Sequence, residues 1–134
     1  MYYVVTLTLT LLLAVPALAQ DKPSLRDVKE IEDPLFAVAV ASEVADVCDS
    51  IAPRYWKGFG VLRRLRARAN QLGYSDDEIR DYVESREEKN RMRRKGEILL
   101  KQSGVDLNKP ETFCTYGLAE IEKNSAIGAL LRAK

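Results

Sequence analysis

Asp33-Pro34-Leu35-Phe36-Ala37-Val38-Ala39-Val40-Ala41-Ser42-Glu43-Val44-Ala45-Asp46-Val47-Cys48 is the stretch that decides the fold of this chain. Asp33 followed by Pro34 is spelled like a helix start, with an acid at the cap and a proline at the first helical position, where its missing N–H is no loss. Beyond it, apolar residues cover nearly the whole circumference of a helix, and such a helix is normally the buried centre of a bundle. Valine and alanine alternate over 36–41, as in a strand, but the run is too long and too rich in alanine to be one. The expectation is an all-α domain built around this helix.

Upstream of it, Leu25, Val28 and Ile31 recur every three residues and predict a short leading helix after Pro23. Downstream, Ala52-Pro53-Arg54-Tyr55-Trp56-Lys57-Gly58 breaks the pattern. Phe59, Leu62, Leu65, Ala69 and Leu72 then restore helical spacing until Gly73. Ser75-Asp76-Asp77-Glu78 spells a capping box, in which the serine hydroxyl and the glutamate carboxylate satisfy each other's free backbone amides. The helix it opens carries Ile79, Tyr82 and Val83, then a charged run from Glu84 to Lys95 whose large apolar residue is Met92, and rejoins the core at Ile98, Leu99 and Leu100. Unbroken, it would be about 40 Å long, more than a small domain is wide, so its middle is expected to project into solvent or to bend near Gly96. Lys109-Pro110-Glu111 opens a last helix that turns Cys114, Gly117, Leu118 and Ile121 to one side. Asn124-Ser125 is expected to break or recap it, after which Ile127, Leu130 and Leu131 end the fold. The sum is four to five helices in a small orthogonal or bundle-like arrangement, with no internal repeat and no hairpin signal.

The amino terminus reads differently. Tyr2 to Ala19 carry no charge, contain the apolar run Leu7-Thr8-Leu9-Thr10-Leu11-Leu12-Leu13-Ala14-Val15, and end Pro16-Ala17-Leu18-Ala19 before Gln20. That order of apolar run, proline and A-x-A site predicts a cleavable signal peptide over 1–19 and a single helical domain over 20–134. The alternative is an uncleaved anchor, since the segment just reaches the length needed to span a bilayer. Either way the domain is expected outside the cytoplasm, and with the segment cleaved it is expected in the periplasm or secreted, with membrane contact peripheral at most.

Cys48 and Cys114 are the two cysteines of the chain, and export would put them where disulfides persist. They are most simply partners in a structural bridge, which on the chain-entropy estimate would remove about 4 kcal/mol of unfolded-state freedom. A redox pair is the functional alternative, but the C-x-x-C spacing that reactive pairs favour is missing.

Composition excludes more than it suggests. Lysine and arginine number 21 against 20 acids, so no global field points to nucleic acid. There is no histidine, which removes the commonest general base and the commonest metal ligand together. Ser42, Ser50 and Ser125 therefore lack an activating imidazole, and the acids Asp76, Asp77 and Glu78 are explained by the helix cap. No catalytic residue, metal or cofactor is implied, and a non-enzymatic role is expected.

What remains are surfaces. Arg63, Arg64, Arg66 and Arg68 could grip an oxyanion or a lipid headgroup, guanidinium being suited to bidentate contacts. Interspersed charge paired with the acids of the next helix is the ordinary reading of such a cluster. Arg91, Arg93 and Arg94 form the basic, exposed end of the charged run, with Glu87 and Arg91 spaced as an i,i+4 pair. Tyr55, Trp56 and Phe59 group beside a flexible turn, either as an interface anchor or, slightly favoured, with Trp56 capping the core.

The carboxyl-terminal cadence Pro110-Glu111-Thr112-Phe113-Cys114-Thr115-Tyr116-Gly117-Leu118-Ala119-Glu120-Ile121-Glu122-Lys123-Asn124-Ser125-Ala126-Ile127-Gly128-Ala129-Leu130-Leu131 completes the picture. With the signal segment and Cys48, it resembles a family of small secreted proteobacterial proteins known as a domain of unknown function. The resemblance implies an exported, cysteine-bridged helical domain. Because some members of that family are encoded among genes for the respiratory NADH:quinone oxidoreductase, the resemblance further implies an accessory or assembly role. The partner expected is thus an unidentified protein of an envelope or respiratory membrane complex. A small module binding an anionic ligand or lipid headgroup is the alternative.

Overall fold

Helix α1 (Lys29–Val47) is the axis on which the other elements pack. The computed structural model describes residues 21–134, so the signal segment expected over 1–19 lies outside the described residues. A short 3₁₀ turn (Leu25–Asp27) leads into α1, followed by β1 (Ile51–Pro53), α2 (Tyr55–Gln71), α3 (Asp76–Glu84), α4 (Arg86–Gln102) and α5 (Pro110–Lys123). A second 3₁₀ turn (Gly128–Leu130) hands the chain to β2 (Leu131–Ala133). The fold is all-α with five α-helices among the described residues, and α1 is the buried centre, as its sequence predicts.

The start of α1 differs from the expectation. Asp33-Pro34 does not open the helix; Pro34 sits in its second turn, and α1 begins at Lys29 behind Val28, which offers no side-chain cap. A proline there removes one ladder hydrogen bond. The turn before it holds because Ile31 and Glu32 are both buried against neighbouring elements. Tertiary contacts override the local start signal.

The main core lies between α1, α4, α5 and β1, around Val40, Val44, Ile51, Leu100, Phe113 and Leu131. A smaller cluster, Leu25, Ile31, Ala69 and Tyr74, seals the amino-terminal end of α1 against α2 and α3. Cys48, at the end of α1, is bonded to Cys114 in α5 across 66 residues of sequence, which is the bridge the two cysteines predict.

Two strands were not legible in advance. β1 and β2 pair antiparallel, Ile51 opposite Ala133 and Pro53 opposite Leu131, and Arg54 N–H extends the pairing by donating to the Leu130 carbonyl at 2.7 Å. They are short and far apart in sequence, so neither a hairpin turn nor a periodic run announces them.

The charged run is also resolved differently. It neither projects nor bends at Gly96: the chain breaks at Ser85, whose hydroxyl accepts from Glu88 N–H at 3.3 Å and caps α4. Gly96 instead lies on the face of α4 turned to Val40 and Phe36 of α1. The capping box at Ser75 is present in full, with Ser75 N–H donating to Glu78 Oε2 at 2.6 Å and Glu78 N–H to Ser75 Oγ at 3.1 Å.

Candidate functional site

A groove of about 780 Å³, within the size range of ligand sites, runs over α1. Its floor is the face of α1 that carries Leu35, Val38, Ala39 and Ser42. Leu62 and Leu65 of α2 form one wall, and Met92, Gly96 and Leu100 of α4 the other. Ile79, Tyr82 and Val83 of α3 close one end. The groove exists because α2 and α4 both pack on α1 while the short α3 links them at the amino-terminal end of α1, so a wedge between the two walls stays unfilled.

Behind the α4 wall runs a chain of buried charge. Glu32 of α1 is 4% exposed, yet its Oε1 lies 2.8 Å from the Arg91 guanidinium and 3.6 Å from Lys95 Nζ. Tyr82 donates its phenolic proton to Glu32 Oε2 at 2.7 Å, and Arg91 donates to the Tyr82 oxygen at 3.0 Å. Arg91 also reaches Glu88 Oε2 at 2.8 Å, and Glu88 is met from the other side by Arg26. Lys95 rests over the Phe36 ring at 4.2 Å. Desolvation, followed by the neighbouring Glu32 carboxylate, pushes the Tyr82 phenol up to about 12. A buried carboxylate tied to two cations and a phenol is costly to break, so the network locks α4 and α3 onto α1 and sets the width of the groove.

The family comparison agrees with the resemblance read from the carboxyl-terminal cadence. A model described as a family of unknown function (DUF5333) matches residues 23–132. The chain belongs to this family. No curated protein and no solved structure matches it.

In this DUF5333 chain the expected surface residues fall into two groups. Arg66 and Arg68 are already engaged: Arg66 pairs with Asp76 of α3 at 2.6 Å and Arg68 with Glu30 of α1 at 2.7 Å. Those contacts depress the Asp76 carboxyl to about 2, with Arg66 the main cause and Asn70 second, and hold Glu30 below its usual range. Arg63 lies 5.9 Å from the Phe59 ring, and neither it nor Arg64 makes an ion pair among the described residues. Arg91 belongs to the buried network rather than to a surface, and its partners are Glu88 and Glu32, not Glu87, which meets Arg26. Arg93 and Arg94 stay exposed, Arg93 on the rim of the groove.

Trp56 does not cap the core. The helix starts four residues earlier than Phe59, so the aromatic turn is the first turn of α2, with Trp56 88% exposed, Tyr55 77% and Phe59 56%. Beside Trp56 is a shallower hollow walled by Pro34, Gly60, Val61 and Ala129. The nominated carboxylates are consumed structurally, Asp76 by Arg66 and Glu78 by its cap and by Lys22 at 2.9 Å. Among the described residues no group of acids and cysteines is placed to hold a metal, and no helix is long and apolar enough to cross a membrane. The groove and the Glu32 network were missed by sequence reasoning. Glu32 looked like one more acid in a polar leader, and only its place directly after the apolar Ile31 hinted otherwise.

Proposed function

We propose that the protein is an exported, non-enzymatic contact domain that serves as an accessory or assembly factor for an envelope or respiratory membrane complex. The observation that carries this reading is the aromatic edge of α2. Tyr55, Trp56 and Phe59 expose most of their surface within a single helical turn, and the hollow beside Trp56 offers room for a partner side chain. Tryptophan, tyrosine and arginine dominate the energetics of protein interfaces, and Arg63 and Arg64 flank this edge without an ion-pair partner among the described residues. Export is supported by the form of residues 1–19 and by the Cys48–Cys114 bridge, which persists in oxidising compartments.

The competing reading, an anionic-ligand module gripping with the arginine cluster, is weakened because Arg66 and Arg68 are neutralised by acids of this same chain. The test is native recovery of the protein from the envelope of its own cell at low and high salt, with Trp56→Ala and Arg64→Glu alongside. A stoichiometric partner that survives salt and is lost on Trp56→Ala is the expected result. Recovery of a lone monomer at both salts sinks the reading, and a partner lost with salt and with Arg64→Glu favours the anionic one.

A further inference from the structure

The groove shares no lining residue with the hollow beside Trp56 and carries its own argument. Along α1 its floor is apolar at Leu35, Val38, Ala39 and Val47, interrupted by Ser42, and Leu62 and Val83 on its walls are more than two-fifths exposed, which is costly for aliphatic side chains left in water. The rim is charged, and the charge is sorted by position. α4 runs alongside α1 in the same direction, Glu32 meeting Arg91 near one end and Val40 meeting Gly96 further on. Lys89 and Arg93, one turn apart, therefore flank the half of the groove closed by α3. Glu97, a further turn along α4, and Glu43 of α1 flank the open half. Among the described residues none of these four is in an ion pair.

An acyl chain with one anionic head could answer the cations but would leave Glu43 and Glu97 facing a hydrocarbon tail. A helix answers all of it. The floor from Ile31 to Val47 is about 24 Å long, four to five helical turns, and two antiparallel walls on a third helix leave the vacancy a fourth would fill in a bundle. We propose that the groove seats an amphipathic helix of a partner protein, apolar on the face turned to α1, with acidic residues toward Lys89 and Arg93 and basic residues toward Glu43 and Glu97. The occupant would complete a four-helix layer of α1, α2, α4 and itself, read as the anchors i, i+3, i+4 and i+7 of its apolar stripe.

The probe is a fluorescent synthetic peptide of about sixteen residues with a leucine stripe, glutamates flanking one end and lysines the other. It is titrated against the protein purified from the envelope of an expressing cell. Two variants leave the core alone: Ala39→Trp, which fills the exposed floor, and the pair Lys89→Glu with Arg93→Glu on the rim. Binding is expected for the wild type and for Trp56→Ala, about tenfold weaker for the rim pair and lost with Ala39→Trp. No binding by the wild type, or undiminished binding by Ala39→Trp, overturns the proposal. A fluorescent fatty acid that binds in place of the peptide and is expelled by Ala39→Trp also overturns it, in favour of a lipid. A wild-type dimer that Ala39→Trp makes monomeric overturns it in favour of a second copy.

Discussion

A methyl group added at Gly128 would stand 1.8 Å from the carbonyl oxygen of Glu120, and one added at Gly117 would stand 2.5 Å from Ile51 Cδ1. The two glycines are small for the same reason, that something passes close, but the neighbours differ in how they can yield. Side chains can shift by a rotamer; a helix carbonyl cannot. Gly117→Ala is therefore expected to cost about 1–3 kcal/mol, the usual cost of overpacking, and Gly128→Ala more. Urea unfolding midpoints check the order, and equal midpoints for the two variants would contradict it. At this scale the sequence was legible where chemistry is local. Ser75 and Glu78 named their own hydrogen bonds, and two lone cysteines named their bridge. It was illegible where the outcome depended on what arrives from far along the chain: Trp56 and Glu32 exchanged their expected places, the tryptophan outside and the carboxylate inside.

Among elements, the break between α3 and α4 had a signal that went unused. Ser85-Arg86-Glu87-Glu88 repeats the spelling of Ser75-Asp76-Asp77-Glu78, and Ser85 does cap α4. The charged run nonetheless reads as continuous, and a serine inside a helix-forming stretch is equally compatible with a solvent-facing position. The Asp33-Pro34 signal failed in the opposite sense, outweighed by the burial of Ile31 and Glu32 just ahead of it. That burial has a measurable consequence. Glu32→Gln keeps the volume but leaves Arg91 and Lys95 facing a neutral amide in a site that excludes most water. Because both cations are partly reached by solvent, the loss is expected at the lower end for broken buried pairs, roughly 3 kcal/mol. The Tyr82 phenol should report it as well. Its pKa of about 12 is expected to fall toward 10.0 when the carboxylate beside it goes, while the remaining burial keeps it above that value. A phenol titration left unchanged by Glu32→Gln would contradict the geometry.

For the whole molecule, the carboxylates that tie helix to helix set the response to acid. Asp76 joins α3 to α2, Glu30 joins α1 to α2, and Glu78 joins α3 to Lys22 of the leading segment. All three are held below their ordinary values, Asp76 by Arg66 first, Glu30 by Arg68 first, and Glu78 first by the Ser75 amide. A carboxylate depressed in the fold contributes stability that is present above its unfolded pKa and is lost as the pH falls through the folded one. For Asp76 that window runs from 3.8 down to about 2. The thermal midpoint is expected to fall as the pH drops through it, and Asp76→Asn should flatten part of that fall. An identical acid slope in the variant would remove Asp76 from the account. The overall architecture was readable because an apolar helix must be surrounded, whatever surrounds it. The groove was not, since an absence between two walls leaves no mark on the residues of either.

The pairing of β1 with β2 has a further consequence in time. A chain is made from its amino end, and domains acquire structure as they emerge. Ile51 and its strand appear well before Leu131 to Ala133, the residues that cover them. Cys48 likewise waits for Cys114. Until then β1 is an open edge next to a bare thiol, the kind of surface that chaperones and thiol oxidases recognise on unfinished proteins. This domain is closed like a clasp by β2, and its most vulnerable interval lies between the appearance of β1 and that of its partner strand.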